Sequence, residues 1–315
     1  MTERILALQP LAADQLARLQ ATDAELVTAA DYQTAGPITI IYGWDRQIGP
    51  AVLKDPKNSV HWIQTASAGI DYLPLDWIIA HNVALTNASG VYSAAIAEST
   101  LGYLLYFLRG FNEAVKNQAG HFWFQPARDE MFTLASQKVV IYGTGSIGQA
   151  IAKLLNGFGN QPFGVNRSGH PVDGFQQTAS LDNDAAVLQD ADVVINVMPA
   201  TKATVHYFDQ AFFDRLNSLR VFVNVGRGDS VDTQALMHAL LYQNVLHAAL
   251  DVFEEEPLPR DSKLWDYPNV LITPHQTGFA GANNRAIFDL FAQNLTSLLK
   301  DGQLSVNVVD PAKGY

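Results

Sequence analysis

The stretch of sequence that decides the fold is KVVIYGTGSIG at residues 138–148. A short apolar run leads into the pattern GxGxxG, and apolar residues at helical spacing follow over residues 147–155. In such a strand–turn–helix unit the first glycine permits a tight turn, the second lets a pyrophosphate approach the backbone, and the third lets helix and strand pack closely. The N-terminus of the helix offers its free N–H groups to the phosphates. The predicted phosphate loop of this dinucleotide site comprises Gly143, Gly145, Ser146, Ile147 and Gly148.

Strands and helices alternate on both sides of this stretch. Short apolar runs predict strands at 5–8, 38–42, 60–63, 138–142, 162–166, 192–196, 220–224, 246–250 and 270–272. Helical spacing is found at 11–19, 24–30, 93–109, 147–155, 181–188, 233–241 and 280–300, whereas residues 120–134 show no period and are predicted to be a connection. Strands separated by helices are typical of parallel sheets with βαβ crossovers. We therefore predict an α/β fold of two lobes, with the last helix returning the chain to the first lobe.

The composition excludes several classes of protein. The chain has 315 residues, of which 48% are hydrophobic and 16% charged, so it can bury a sizeable core. Its net charge of −11 argues against nucleic acid and anionic membranes as partners. There is no cysteine, which excludes disulfides and thiolate metal sites, and we predict no metal site. The most apolar stretch, residues 101–108, is far shorter than the roughly 20 residues needed to span a bilayer. Residues 1–4 are not followed by the apolar core of a signal peptide. We therefore expect a cytoplasmic protein.

The end of the second strand after the glycine pattern bears on the choice of cofactor. An acidic residue is expected there, about 20 residues on, to hold the ribose 2′-hydroxyl of NAD. The sequence has Asn166, Arg167 and Ser168 in that place and no carboxylate. Amide, guanidinium and hydroxyl donors suit a 2′-phosphate, which arginine can bind with two parallel hydrogen bonds. This turn favours NADP(H), with NAD(H) as the alternative.

Polar residues follow three of the later predicted strands. Arg227 stands between two glycines after the strand at 220–224, Glu256 ends an acidic run after the strand at 246–250, and His275 follows the strand at 270–272. Ligands of open α/β sheets bind beyond the carboxyl ends of the strands. An imidazole can transfer a proton, a carboxylate can orient it and stabilise its charge, and an arginine can hold a substrate acid. The combination predicts a catalytic site.

With these residues the sequence resembles the D-isomer-specific 2-hydroxyacid dehydrogenase family. The motifs that carry the resemblance are the glycine pattern and the segments at 67–71, 87–98, 223–228, 251–257 and 273–275. The resemblance implies a flavodoxin-like substrate domain formed by residues 1–95 and 280–315, with a Rossmann nucleotide domain inserted at 96–279. It also implies a homodimer built largely through the nucleotide domain.

The resemblance assigns roles to individual residues. It implies that Arg227 binds the substrate carboxylate and polarises the 2-oxo group, that His275 is the acid/base, and that Glu256 holds and charges the imidazole. It places Asp251 near the nicotinamide, and it assigns backbone N–H groups of Ala68 and Gly69 to the carboxylate pocket. The residues that it adds to the cofactor site are Pro199, Val225, Gly226, Arg227, Asp251, His275 and Gly278, and those of the substrate site are Ser67, Ala68, Gly69, Arg227 and His275.

The function expected from the resemblance is hydride transfer between NADPH and a small 2-oxo or 2-hydroxy acid such as glyoxylate or hydroxypyruvate. An NAD-dependent phosphoglycerate dehydrogenase-like enzyme, or another D-2-hydroxyacid dehydrogenase, is the alternative within the family. A dinucleotide-sensing interaction protein, like the C-terminal binding protein corepressors, is the alternative outside enzymes. The presence of Arg227, Glu256 and His275 together favours the enzyme.

Overall fold

A computed structural model describes residues 2–313 and divides them into two compact units. One unit combines the chain up to Tyr92 with the chain from Ala280 onward, and the other is the continuous segment Ser93–Phe279. The second unit is therefore an insertion in the sequence of the first. The predicted limits of the substrate and nucleotide domains, which assign residues 93–95 to the substrate domain, stay a prediction.

The strands and helices of residues 2–313 alternate along most of the chain. The strands are β1 Arg4–Ala7, β2 Glu25–Thr28, β3 Ile40–Tyr42, β4 Trp62–Gln64, β5 Ala84–Thr86, β6 Val139–Tyr142, β7 Phe163–Asn166, β8 Thr178–Ser180, β9 Val193–Asn196, β10 Leu219–Asn224, β11 Val245–Leu250, β12 Val270–Ile272 and β13 Val308–Val309. The helices are α1 Ala13–Gln20, α2 Ile48–Lys54, α3 Leu75–Ala80, α4 Ser93–Leu108, α5 Phe111–Ala119, α6 Ser146–Gly157, α7 Ala185–Leu188, α8 Gln210–Phe213, α9 Thr233–Leu241 and α10 Asn283–Asp301. No helix within these residues is both long enough and apolar enough to cross a membrane.

The first unit is built on a sheet with the order β2-β1-β3-β4-β5, all parallel, to which β13 adds an antiparallel edge. This is the strand order of flavodoxin-like sheets. Helix α10 packs on the sheet through Phe291, whose ring stacks on Tyr42 at 4.4 Å and on Trp62 at 5.1 Å between ring centroids. The predicted return of the last helix to the first lobe is confirmed.

The second unit is built on a parallel sheet with the order β8-β7-β6-β9-β10-β11-β12. Counted from β6, this is the Rossmann order 3-2-1-4-5-6 with one further strand at the edge. The inner strands β6 and β9 are buried on both faces, as the apolar strand sequences predict. The predicted fold class, a Rossmann-type sheet inserted in a flavodoxin-like lobe, is confirmed.

One predicted helix is wrong. Residues 24–30 show apolar residues at helical spacing, but Glu25–Thr28 form strand β2 and pair in parallel with β1. The window is only seven residues long, too short for its period to separate a helix from a strand, and pairing with β1 buries Val27. The predicted helix at 181–188 is a 3₁₀ turn at 181–183 followed by the short helix α7.

Candidate active site

The glycine pattern occupies the turn between β6 and α6, and each glycine has its own steric reason. Gly143 has φ +104, and a Cβ there would lie 2.9 Å from Val197 Cγ2. A Cβ on Gly148 would lie 2.0 Å from the carbonyl oxygen of Gly143, so the helix can start this close to the turn only with glycine. A Cβ on Gly145 would meet nothing within 4 Å. Gly145 therefore faces open space and leaves the backbone approachable.

The N-terminus of α6 fits the pyrophosphate of a dinucleotide. No side chain caps the helix at Gly145, and its first turn contains no acidic residue. The first N–H groups of a helix have no partner within it, and the helix dipole makes them favourable for an anion. Ser146 is exposed and Ile147 half-buried beside the open face of Gly145. When bound there, a nicotinamide dinucleotide supplies the hydride chemistry that the protein's own side chains lack.

Asn166, at the end of β7, shapes the turn that was predicted to bind the 2′-phosphate. Its Oδ1 accepts hydrogen bonds from the backbone N–H groups of Ser168 and Gly169, at 3.2 and 2.7 Å. Its Nδ2 donates to Thr144 Oγ1 at 3.1 Å and to the carbonyl of His170 at 2.9 Å. The buried amide thus ties this turn to the glycine loop and leaves Arg167 and Ser168 exposed. Their contact with a cofactor stays a prediction.

A polar cluster around the buried Asp184 lies next to the glycine loop. Tyr142, the residue before Gly143, donates its hydroxyl to Asp184 Oδ2 at 2.6 Å, and Arg215 binds both oxygens of Asp184 at 2.7 and 3.2 Å. Burial alone would raise the pKa of Asp184, but the bonds from Arg215 and Tyr142 outweigh it and hold this pKa below its ordinary value. Burial, and then Asp184, raise the pKa of Tyr142 far above its ordinary value. Sequence reasoning did not identify this cluster.

Arg227 follows β10 on a backbone fixed by buried polar groups. Its carbonyl accepts hydrogen bonds from Ser230 Oγ at 2.6 Å and from Asn224 Nδ2 at 3.1 Å. A Cβ on Gly228 would lie 1.9 Å from the carbonyl of Phe253, so glycine lets this loop abut the loop after β11. The half-buried Arg227 donates from Nη1 to its neighbour's carbonyl, that of Gly226, at 2.9 Å.

Asn224 belongs to a buried amide pair that sequence reasoning missed. Asn196 Nδ2 donates to Asn224 Oδ1 at 2.9 Å and to Ser230 Oγ at 2.6 Å. The two asparagines end the neighbouring strands β9 and β10 and face each other in register. The signal was present, because each asparagine ends an otherwise apolar run and is followed by a valine.

The structure brings Glu256 and His275 together. Glu256 Oε2 lies 2.8 Å from His275 Nδ1, and Glu256 Oε1 accepts the N–H of Phe253 at 3.0 Å. The second bond fixes the carboxylate to its own loop. With Nδ1 engaged by Glu256, Nε2 is the ring nitrogen that can exchange a proton with a ligand. Both side chains are partly exposed, His275 at 56% and Glu256 at 35%, so a small molecule can reach them.

His275 lies in a strained backbone held by Asp251. Its φ of 51° is in the left-handed region, which non-glycine residues adopt rarely. Its N–H donates to the carbonyl of Asp251 at 2.9 Å, and the carboxylate of Asp251 accepts bonds from residues on both sides of the histidine. The carboxylate is buried, so the predicted contact of Asp251 with the nicotinamide stays a prediction.

The remaining predicted residues lie in four places. Pro199 is exposed after β9, and Val225 and Gly226 are buried after β10. Gly278 is half-buried three residues beyond His275. In the first unit, Ser67, Ala68 and Gly69 form the turn after β4, where Ser67 Oγ donates to the carbonyl of Gly69 at 2.8 Å and Asn87 Nδ2 to that of Ala68 at 2.7 Å. Their assignment to substrate binding stays a prediction.

All the predicted site residues of the second unit follow the carboxyl ends of parallel strands. The glycine loop comes after β6, the Asn166 turn after β7, and Pro199 after β9. Arg227 comes after β10, Asp251 and Glu256 after β11, and His275 after β12. Because the strands are parallel, these residues lie along one edge of the sheet, where ligands bind in open α/β folds. The fold and the glycine loop are those of a dinucleotide-binding protein.

Comparison with known proteins narrows the class to a family. A family model described as "D-isomer specific 2-hydroxyacid dehydrogenase, NAD binding domain" matches residues 101–277. A glyoxylate/hydroxypyruvate reductase B from Klebsiella pneumoniae subsp. pneumoniae is 31% identical over 266 residues, covering 83% of this chain and 81% of the relative. The chain belongs to the D-isomer-specific 2-hydroxyacid dehydrogenase family, and it is an NAD(P)-dependent oxidoreductase, as the sequence predicts.

Solved structures show the same fold. A phosphoglycerate dehydrogenase from Lactobacillus plantarum is 39% identical, with a TM-score of 0.60, and the match covers 98% of this chain and 100% of that one. An NADPH-dependent glyoxylate/hydroxypyruvate reductase from Sinorhizobium meliloti, in complex with NADP and sulfate, is 25% identical with a TM-score of 0.83, and the match covers all of both chains. As a member of the family, the chain uses a nicotinamide dinucleotide as its cofactor and a small 2-oxo or 2-hydroxy acid as its substrate.

Proposed function

We propose that this chain reduces glyoxylate or hydroxypyruvate with NADPH. The observation that carries the proposal is the 2.8 Å pair of Glu256 and His275 at the sheet edge that also bears Arg227 and the glycine loop. The names of the relatives from Klebsiella pneumoniae and Sinorhizobium meliloti support glyoxylate or hydroxypyruvate as the substrate.

Arg227, His275 and Glu256 have different roles in the reduction. Arg227 binds the carboxylate of the acid and polarises its 2-oxo group, because a guanidinium presents a planar fork to such groups. His275 gives a proton from Nε2 to the oxygen at C2 as the hydride reaches the carbon. Glu256 holds Nδ1 and stabilises the imidazolium from which that proton comes. In the oxidative direction His275 takes the proton back.

NADPH is proposed as the cofactor because the turn after β7 offers Arg167 and Ser168 and no carboxylate. Arg167→Asp tests this choice, since a carboxylate repels a 2′-phosphate but accepts a bond from a 2′-hydroxyl. A charge-assisted hydrogen bond contributes about 1.5–3 kcal/mol, so the ratio of kcat/KM for NADPH over NADH should fall about ten- to a hundredfold. Equal kcat/KM for both cofactors in the unmodified protein would refute the preference.

A second candidate is an NAD-dependent phosphoglycerate dehydrogenase-like activity. It is favoured by the 39% identity to the protein from Lactobacillus plantarum that bears this name. Initial rates with glyoxylate, hydroxypyruvate, pyruvate and 3-phosphoglycerate, each with both cofactors, separate the candidates. Turnover of 3-phosphoglycerate with NAD above that of the 2-oxo acids with NADPH would replace the first proposal by the second.

We also propose that the protein is a homodimer through the second unit. Helix α5 and the following connection expose large apolar side chains, including Phe122 at 71% and Trp123 at 94%. Contiguous exposed aromatics in a folded protein are typical of an interface. Light scattering should give twice the chain mass of 34.4 kDa, and Phe122→Ser with Trp123→Ser should give one chain mass. A monomeric unmodified protein would refute this.

A further inference from the structure

The carboxylate of Asp251 is saturated by one short segment of the chain. Its Oδ1 accepts from Thr273 Oγ1 at 2.5 Å and from the N–H of Gln276 at 2.9 Å. Its Oδ2 accepts from the N–H of Thr277 at 3.1 Å and from Thr277 Oγ1 at 2.6 Å. A carboxylate has about four acceptor positions, and all four are taken here. Asp251 is 1% exposed, so its charge is directed at the segment that carries His275.

Helix α4 also contacts the same segment. The hydroxyl of Tyr103 lies 2.7 Å from Thr273 Oγ1, and Ser99 Oγ donates to the carbonyl of Thr277 at 3.2 Å. Ser99 and Tyr103 are four residues apart and therefore share one face of the helix. The two contacts fall two residues before and two residues after His275.

The direction of this relay follows from its chemistry. The single proton of the Thr273 hydroxyl is directed at Asp251, so Thr273 must accept from Tyr103. Burial raises the pKa of Tyr103 to about 12, which keeps the phenol a donor at neutral pH. The order is therefore Tyr103 to Thr273 to Asp251.

We propose that Tyr103 is a positioning residue for His275, acting through the hydroxyl of Thr273 and the carboxylate of Asp251. The left-handed backbone at His275 is unfavourable for a histidine and persists only where its surroundings enforce it. The bonds to Asp251 on both sides of the histidine, and the contacts of α4 beyond them, provide that enforcement. Asp251 thereby acts on the orientation of the imidazole.

The proposal rests on the proposed function, because His275 is the proton donor there. Tyr103→Phe removes only the hydroxyl. Tyr106→Phe is the matched control, because Tyr106 is on the same helix and its hydroxyl has no hydrogen-bond partner within residues 2–313. We expect kcat for hydroxypyruvate to fall about tenfold in Tyr103→Phe, less than the about 10²-fold loss that a 1 Å misplacement can cause. KM for NADPH should stay as in the control, and the melting temperature should stay within about 2–4 °C of it. The solvent isotope effect on kcat should rise because proton transfer limits the rate.

Amide hydrogen exchange of the cofactor-free protein provides a readout that needs no activity. A peptide covering residues 271–279 should exchange roughly two- to tenfold faster in Tyr103→Phe than in Tyr106→Phe, the change expected for one lost hydrogen bond. Peptides from β10 should be unchanged. Thr277→Val should show the same two effects, and Thr277→Ser, which keeps the hydroxyl, should restore both.

The outcomes separate this inference from the proposed function. Normal kcat and normal exchange in Tyr103→Phe would overturn the positioning role. A fall in kcat that merely follows a lower melting temperature would assign Tyr103 to stability and would also overturn it. Absence of turnover by the unmodified protein would refute the proposed function, while the exchange comparison would still decide whether Tyr103 orders the His275 segment.

Discussion

Replacing Gly145 by alanine separates cofactor binding from folding. Gly145 has φ −73 and ψ −163, which alanine adopts freely, and its Cβ would meet nothing within 4 Å. Such a Gly→Ala change stabilises by about 0.4–1 kcal/mol through the unfolded chain, whereas alanine is a poorer N-cap than glycine by roughly 0.5–1 kcal/mol. The free energy of unfolding should therefore change by less than about 1 kcal/mol. The methyl group, however, would occupy the space that is predicted for the pyrophosphate.

The loss of affinity for NADPH can be estimated from the hydrogen bonds to phosphate that the methyl group would block. Each charge-assisted hydrogen bond to a phosphate contributes about 1.5–3 kcal/mol, so the Kd for NADPH should rise about ten- to a hundredfold. Calorimetric titration gives the Kd, and thermal unfolding gives the stability. Gly157→Ala is the control, because its Cβ also meets nothing and it lies at the other end of α6. An unchanged Kd in Gly145→Ala would refute the placement of the phosphates at this helix.

Three further changes test the site and its surroundings. Glu256→Gln keeps the shape of the side chain but removes its charge, so kcat for reduction should fall at least about tenfold with little change in KM. The fall should approach the about 10²–10⁴-fold effect of losing His275. Steady-state rates measure this, and an unaltered kcat contradicts it. The pKa of Asp184 is lowered in the folded protein, so this carboxylate stabilises the fold above the ordinary carboxyl pKa, and the stabilisation is lost as pH falls through the lowered value. Asp184→Asn should therefore lower the free energy of unfolding by about 1–3 kcal/mol at pH 7, measured by urea unfolding. The difference between the two proteins should shrink towards pH 2. Burial lowers the pKa of His247 from 6.5, so the unmodified protein should lose stability as pH falls below about 6.5. His247→Phe should remove this loss. Parallel profiles of stability against pH for the two proteins would show that His247 does not contribute.

The sequence predicts the elements that are long or repeat a strong pattern. The strand at 270–272 and the helix at 233–241 have the predicted bounds, and the helix predicted at 93–109 is α4. The error at residues 24–30 and the missed strands β5, β8 and β13 concern strands of two to four residues. The state of such short segments is decided by pairing with a neighbouring strand and not by their own period. Local patterns carry no information about such pairing.

The site is predictable to the extent that its residues follow recognisable strands. Arg227, Glu256 and His275 were named because each follows a strand of one sheet, and parallel order brings those strand ends to one edge. Tyr103 lies about 170 residues from Thr273 in the chain. A hydrogen bond over that separation depends on how α4 packs against the sheet, which periodicity does not specify.

The hydrogen bonds of Asn166 restrict how the coenzyme preference of this scaffold can be engineered. An aspartate at this position would still accept the N–H groups of Ser168 and Gly169, but it would set a carboxylate oxygen against the carbonyl of His170, 2.9 Å from the present amide nitrogen. The repulsion of two acceptors would open the turn and release its tie to Thr144. A design for NADH should therefore leave Asn166 in place and introduce the carboxylate at the exposed position 167, because the side chain of Ser168 lies 3.0 Å from His170 Nδ1 within the turn.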